Sequence, residues 1–209
     1  HEFLLINQKG DKLSTSMLSK EIKVAFGMDI GSSAIRNIFA THTFGGQKQQ
    51  MKDFDFDSQD YIPHKNKNYF IKKYYNHPIY NYTVYGVYNK KSLTSLIVTR
   101  EVLINDSKIL RIMDFIGNEV DMLYVSKYLY KIVVNNNYEY IDFMCFGFND
   151  DNLEDACFTK INIESNSLIA PNYFSPLIKE NIHINFMADT KEVDKIRFCK
   201  ADGDQDRPS

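Results

Sequence analysis

The spacing of apolar positions changes along this chain, and each change marks an element. EFLLIN opens it as an apolar, strand-like run. After QKGD, Ser14 or Ser16 is the expected cap of a helix carrying Met17, Leu18, Ile22 and Phe26, with Gly27 as its stop. A second helical start at Gly31-Ser32-Ser33 places Ile35, Ile38, Phe39 and His42 on one face before Gly45-Gly46 ends it. The stretch that follows, through KDFDFDSQDYIPHKNKN, is polar and charged and is read as a linker over residues 51–66.

From residue 67 the chain is aromatic and strand-rich. YFIKKYYNHPIYNY predicts a short helix stopped before Pro78. YTVYGVY alternates as a strand, Asn89-Lys90-Lys91 is a turn, and the β-branched SLTSLIVTREVLI is a second strand. Asn105-Asp106 turns the chain into a third, ILRIMDFIG. Asn118 is a good helix cap, with acidic Glu119 and Asp121 in the first turn. Met122, Val125, Leu129, Ile132 and Val133 form the apolar stripe of that helix, which Asn135-Asn136-Asn137 ends. YIDFMCFGF predicts a buried strand, DNLEDAC a short helix, and FTKINI, HINFMAD and KIRFCKA further strands, with LIAPNYFSPLI irregular around Pro171 and Pro176. This order implies an α/β (α+β) domain: a mixed, mostly antiparallel sheet with one helix crossover, preceded by a small helical segment.

Composition narrows the class. The chain has 209 residues, 44% hydrophobic and 25% charged, enough for a substantial core. A net charge of −2 supplies no global field toward nucleic acid or anionic membrane. Its 3 cysteines, Cys145, Cys157 and Cys199, are far apart and form no CxxC, which argues against a disulfide framework and against zinc. They are expected to be reduced and buried. No apolar run reaches the roughly 18 residues of a membrane span, and no signal peptide is visible, so a cytoplasmic location is expected. The chain begins at His1 rather than Met and is read as a fragment.

Over residues 60–209, YFIKKYYNHPIYNYTVYGVY, LIVTRE, LRIMDFIG, EYIDFMCFG, APNYFSP and KADGDQDRP resemble a group of GNAT-like proteins encoded with bacterial surface-polysaccharide genes. The GNAT fold is that of a large family of N-acyltransferases. The resemblance implies acyl transfer onto an amino or hydroxyl group of a sugar or glycan precursor, with acetyl-CoA or another acyl-CoA entering where the fourth and fifth family strands part. One motif departs from the pattern. CoA-using members carry Arg/Gln-x-x-Gly-x-Gly/Ala after the fourth strand, whose amides hold the pyrophosphate at a helix N-terminus. Here that place reads Ile116-Gly117-Asn118-Glu119-Val120-Asp121, with one glycine, no base and two acids. An acyl carrier other than CoA, or none, is equally consistent with it, and a non-catalytic binding module is the alternative.

Over residues 1–50, NQKGDKLSTSMLSKEIKVAFG and GSSAIRNIFATH resemble the C-terminal catalytic domain of tyrosine recombinases (integrases). Arg36 matches the arginine that grips the scissile phosphate, whereas Ser33 stands where that family has histidine. The chain leaves the pattern before any nucleophilic tyrosine. A DNA partner is expected only if this segment functions, and an inactive recombinase fragment is the third reading.

Within the GNAT-like part, Asp114 is read on the face of Leu110, Ile112 and Ile116, with Arg111 on the other and Asp142 similarly placed on the neighbouring strand. Two carboxylates there serve either as general bases or as a structural network with Arg100 or Arg111. His77, before Pro78, is a candidate base or a packed structural histidine. Asn172 and Tyr173, between two prolines, and Asp202 and Arg207, in the C-terminal KADGDQDRPS, join Arg111 as candidate substrate-binding residues. Asp202, Asp204 and Asp206 alternate as in a calcium loop, but Arg207 occupies the position that needs glycine, so no metal is expected.

Overall fold

The computed structural model describes residues 53–89, 92–165, 167–174 and 177–203, all within a unit spanning 38–209. The elements are α1 (Lys67–Phe70), which continues as a π-helical turn (Ile71–Tyr75), then β1 (Thr83–Asn89), β2 (Ser92–Ile104), β3 (Ser107–Gly117), α2 (Asp121–Asn136), β4 (Ile141–Phe143), β5 (Cys145–Phe146), α3 (Asp150–Asp155) and β6 (Phe198–Cys199). A 3-10 turn, Lys200–Asp202, follows β6.

β1, β2 and β3 form an antiparallel meander, and β4 joins β3 in parallel after the α2 crossover. The architecture is thus α+β, with a mixed and mostly antiparallel sheet. Asn105, in left-handed conformation, makes the β2–β3 turn at little cost because its short polar side chain tolerates that geometry. Asn118 Oδ1 accepts from the Val120 amide to start α2, and left-handed Asn137 stops it. Met122, Val125 and Leu129 are buried, each contributing roughly 1.5–3 kcal/mol of apolar burial.

The sheet is covered on both faces. On one, α2 packs Met122, Val125 and Leu129 against Val87, Ile97, Ile112 and Phe115. On the other, Phe54, Phe56, Tyr61, Phe70 and Tyr74 cover Val84, Leu96, Val98, Met113 and Ile116. Residues 53–66, expected as a linker, are therefore part of this second layer. Their alternation of Asp53, Phe54, Asp55, Phe56 and Asp57 looks polar on average, yet it buries both phenylalanines.

The C-terminal third differs most from expectation. FTKINI and HINFMAD contain no strand, and KIRFCKA is strand only at Phe198–Cys199. YIDFMCFGF does not run as one strand: β4 ends at Phe143, and β5 leaves the main sheet to pair with β6.

Candidate functional site

A bulge in β3 sets the geometry of the site. Val98 faces Asp114 and Thr99 faces Ile112, so Met113 is an extra residue in the ladder. Ile112 and Phe115 consequently point to the α2 face, while Met113 and Ile116 point to the other. This corrects the placing of Asp114 with Leu110 and Ile112. The bulge turns it toward Lys65 and Tyr74, away from the α2 layer.

The β3–β4 ladder covers Leu110–Ile112 and Ile141–Phe143, preceded by Glu139 N donating to Lys108 O, and past Phe143 the chain pairs with β6 instead of β3. The C-terminal segment fills the gap this leaves. β6 pairs with β5 on one side, and β6 and the following turn pack on β3 on the other. Cys199 belongs to the α2-side cluster and Ala201 to the opposite one, so this segment contributes to both layers. Gly147 permits the approach, since a Cβ there would lie 1.8 Å from Ile196 O.

A buried charge cluster forms where this segment meets β3. Lys65, 2% exposed, places Nζ 2.5 Å from Asp114 Oδ1 and 2.7 Å from Asp202 Oδ2. Asp114 also accepts from the Tyr74 hydroxyl and, at 2.9 Å, from its neighbour's amide, Phe115 N. Asp202 accepts from Cys199 N at 2.8 Å and from Tyr69 OH at 3.5 Å. Burial works against the Lys65 charge, but Asp114, Cys199 and Asp202 outweigh it and hold its pKa well above the ordinary value. Burial, reinforced by Asp114, raises the pKa of Tyr74 and of Asp202. Asp114, Cys199 and Asp202 offer ligand atoms within 4.8 Å of one another. The Lys65 ammonium already contacts both carboxylates, so it stands where a cation would bind.

A second cluster lies at the paired end of β3. Arg111, 4% exposed, faces Asp142 in register and donates Nε to both its oxygens, at 3.0 and 2.9 Å. Its Nη1 donates to Asn172 O at 3.1 Å and its Nη2 to Pro171 O at 2.6 Å, and its guanidinium lies over the Phe174 ring. Buried Lys200 donates to the Asn172 side chain and sits over the Tyr173 ring. Arg111, Asp142, Asn172 and Tyr173 thus converge, as one fastening between the Pro171 loop and the sheet. Asp142 is engaged bidentately by Arg111, and Asp114 by Lys65 and Tyr74, which leaves the two carboxylates in separate networks.

The start of α2 borders an open cleft of about 510 Å³, lined in part by Tyr61, Thr94, Gly117, Asn118, Glu119 and Arg197. The first-turn amides already have acceptors: Val120 on Asn118 Oδ1, Asp121 on Asn118 O, Met122 on Glu119 O and Leu123 on Val120 O. Asp121 accepts from Thr94 Oγ1 at 2.6 Å and Ser95 Oγ at 2.5 Å, and Glu119 pairs with Arg197 at 3.2 Å. The residues present do not fit an acyl-CoA pyrophosphate, which needs free amides or an available base at this point.

His77 Nδ1 accepts from the amides of Ile79 and Tyr80, and its ring stacks on Tyr80. That is the geometry of a turn-forming histidine. Arg36 and Arg207 lie outside the described residues. Lys65, Tyr69, Tyr74 and Lys200 are the site residues that sequence reasoning missed. The one available signal was Asp114 itself, an acid in an apolar strand that requires a partner. Among the described residues no helix is long and apolar enough to cross a membrane. Comparison with protein-family models, curated proteins and solved structures finds no match for this chain.

Proposed function

We propose that the described domain is a GNAT-like module that works by binding rather than by acyl transfer from CoA. The observation that carries this reading is the segment 196–202 lying in the gap between β3 and the β4–β5 chain, where the family resemblance would place the acyl carrier. The occupied amides of the α2 first turn support it. So does the engagement of both candidate carboxylate bases, Asp142 by Arg111 and Asp114 by Lys65 and Tyr74. The resemblance suggests a sugar or glycan precursor as ligand, and the cleft beside α2, outside the filled gap, is the place for it.

Calorimetric titration with acetyl-CoA tests the reading. No saturable heat at millimolar ligand is expected. Saturable binding would overturn it and restore the acyltransferase reading, in which Asp142→Asn should abolish turnover.

A further inference from the structure

The three cysteines looked unrelated in sequence, yet two of them meet in the fold. β5 and β6 pair antiparallel with Cys145 directly opposite Cys199. Opposed residues in such a ladder have Cα atoms roughly 4.5–5.5 Å apart, whichever hydrogen-bonding class the pair belongs to. Both values lie within the ~4.4–6.8 Å that a disulfide spans. Side chains of directly opposed residues also leave the ribbon on the same side. Opposed Cβ atoms stand roughly 4.5–5.5 Å apart and a disulfide needs ~3.5–4.5 Å, so the bond requires side-chain rotation and a small approach of the two strands.

Access to the pair is asymmetric. Cys145 lines a surface cleft of about 540 Å³ together with Phe146, Phe148, Asn149, Leu153 and Lys160. Cys199 is 6% exposed, on a strand that packs against β3. A small oxidant thus reaches one sulfur first, with the second residue directly opposite it across the ladder. Cys157 is exposed and lies outside both strands.

We infer that Cys145 and Cys199 form a redox pair that closes into a cross-strand disulfide under sustained exposure to a peroxide. The Cys145 thiolate attacks one peroxide oxygen: an S–O bond forms, the O–O bond breaks and hydroxide leaves. The Cys199 thiolate then attacks the Cys145 sulfur: the S–S bond forms, the S–O bond breaks and a second hydroxide leaves. The two thiol protons convert these hydroxides to water, so the sulfur pair loses two electrons and the peroxide gains two.

The electrostatics set the pace. Burial, with Asp150 and Glu119 adding to it, pushes the Cys145 thiol up to about 12, and burial with Asp114 raises Cys199 well above its ordinary value. Little thiolate exists near neutral pH, so closure is slow and quickens as pH rises. The same lack of thiolate stabilisation leaves the disulfide, once formed, resistant to reduction. Closure fastens β6, and through Cys199 N the Asp202 carboxylate, to β5.

The test uses the full chain carrying Cys157→Ser, which removes the competing thiol. After exhaustive oxidation with hydrogen peroxide at mildly alkaline pH, free thiols are alkylated in denaturant and the protein is digested without reduction. Mass spectrometry should find the Cys145 and Cys199 peptides joined and lighter by two hydrogens than the dithiol pair. The oxidised protein should unfold at a higher urea concentration than the reduced one. Recovery of both cysteines as alkylated or as separate sulfinic acids would overturn the inference, as would an oxidised form with no rise in urea midpoint.

Discussion

Two buried charge clusters flank β3, and they are built differently. At the paired end, Arg111 meets Asp142 across adjacent strands, one cation to one anion, in a fork made by Nε and Nη2. Past the bulge, one cation, Lys65, serves two carboxylates, Asp114 and Asp202. The Arg111–Asp142 pair is matched in charge and follows from strand register, with buried Lys200 held beside it on Asn172. The second cluster carries an excess acid, offset by hydroxyl and amide donors and by the raised pKa of Asp202, and it draws on three distant parts of the chain. A fork of matched charge can fasten a loop with only local support. A mismatched cluster persists only because the surrounding aromatic layer and the C-terminal segment hold its members together.

The sharpest way to break this contrast is Lys65→Met, which leaves two buried carboxylates without their cation and should cost about 3–5 kcal/mol. Arg111→Met should cost less, about 1.5–3 kcal/mol, because Asp142 is 13% exposed and retains some access to water. Urea denaturation of both variants decides the order, and a larger loss for Arg111→Met would reverse the comparison. Gly117→Ala comes next, at about 1–3 kcal/mol. Gly117 has φ +126° and faces Ser95, and a Cβ would come within 2.4 Å of Ser95 Oγ and Thr94 O.

pH separates the clusters further. The Lys65 and Tyr74 pKa values are raised on folding, so their contribution is complete below the ordinary values of about 10 and is lost as pH rises through the folded ones. Tm should therefore fall progressively above pH ~10, with a shallower slope in Tyr74→Phe. A melting temperature unchanged across that range would count against the cluster as described. The smallest effect is expected at the surface: Lys160 and Asp150 pair in solvent, and Lys160→Ala should leave the urea midpoint unchanged.

Local pattern carried much of this fold. The β1–β2–β3 meander, the Asn105 turn and the helix between Asn118 and Asn137 were all legible, because alternation, caps and left-handed turns depend on residues within one element or beside it. The candidate residues were legible in part. An acid in an apolar strand marked Asp114, and Asp142 with Arg111 needed only the strand order to become a pair. Lys65 was not legible. It lies in HKNKN, a run that reads as solvated, and meets its partner Asp114 across 49 positions.

What the sequence alone determined is the set of elements whose faces repeat at a helical or strand period. Tertiary structure decided the rest. A single bulged residue, Met113, reassigned the faces of β3, and a chain segment with almost no periodicity filled the gap beside it. The same pairing set Cys145 opposite Cys199. Such contacts arise from long-range packing, and no local period encodes which distant segment a buried charge or thiol will meet.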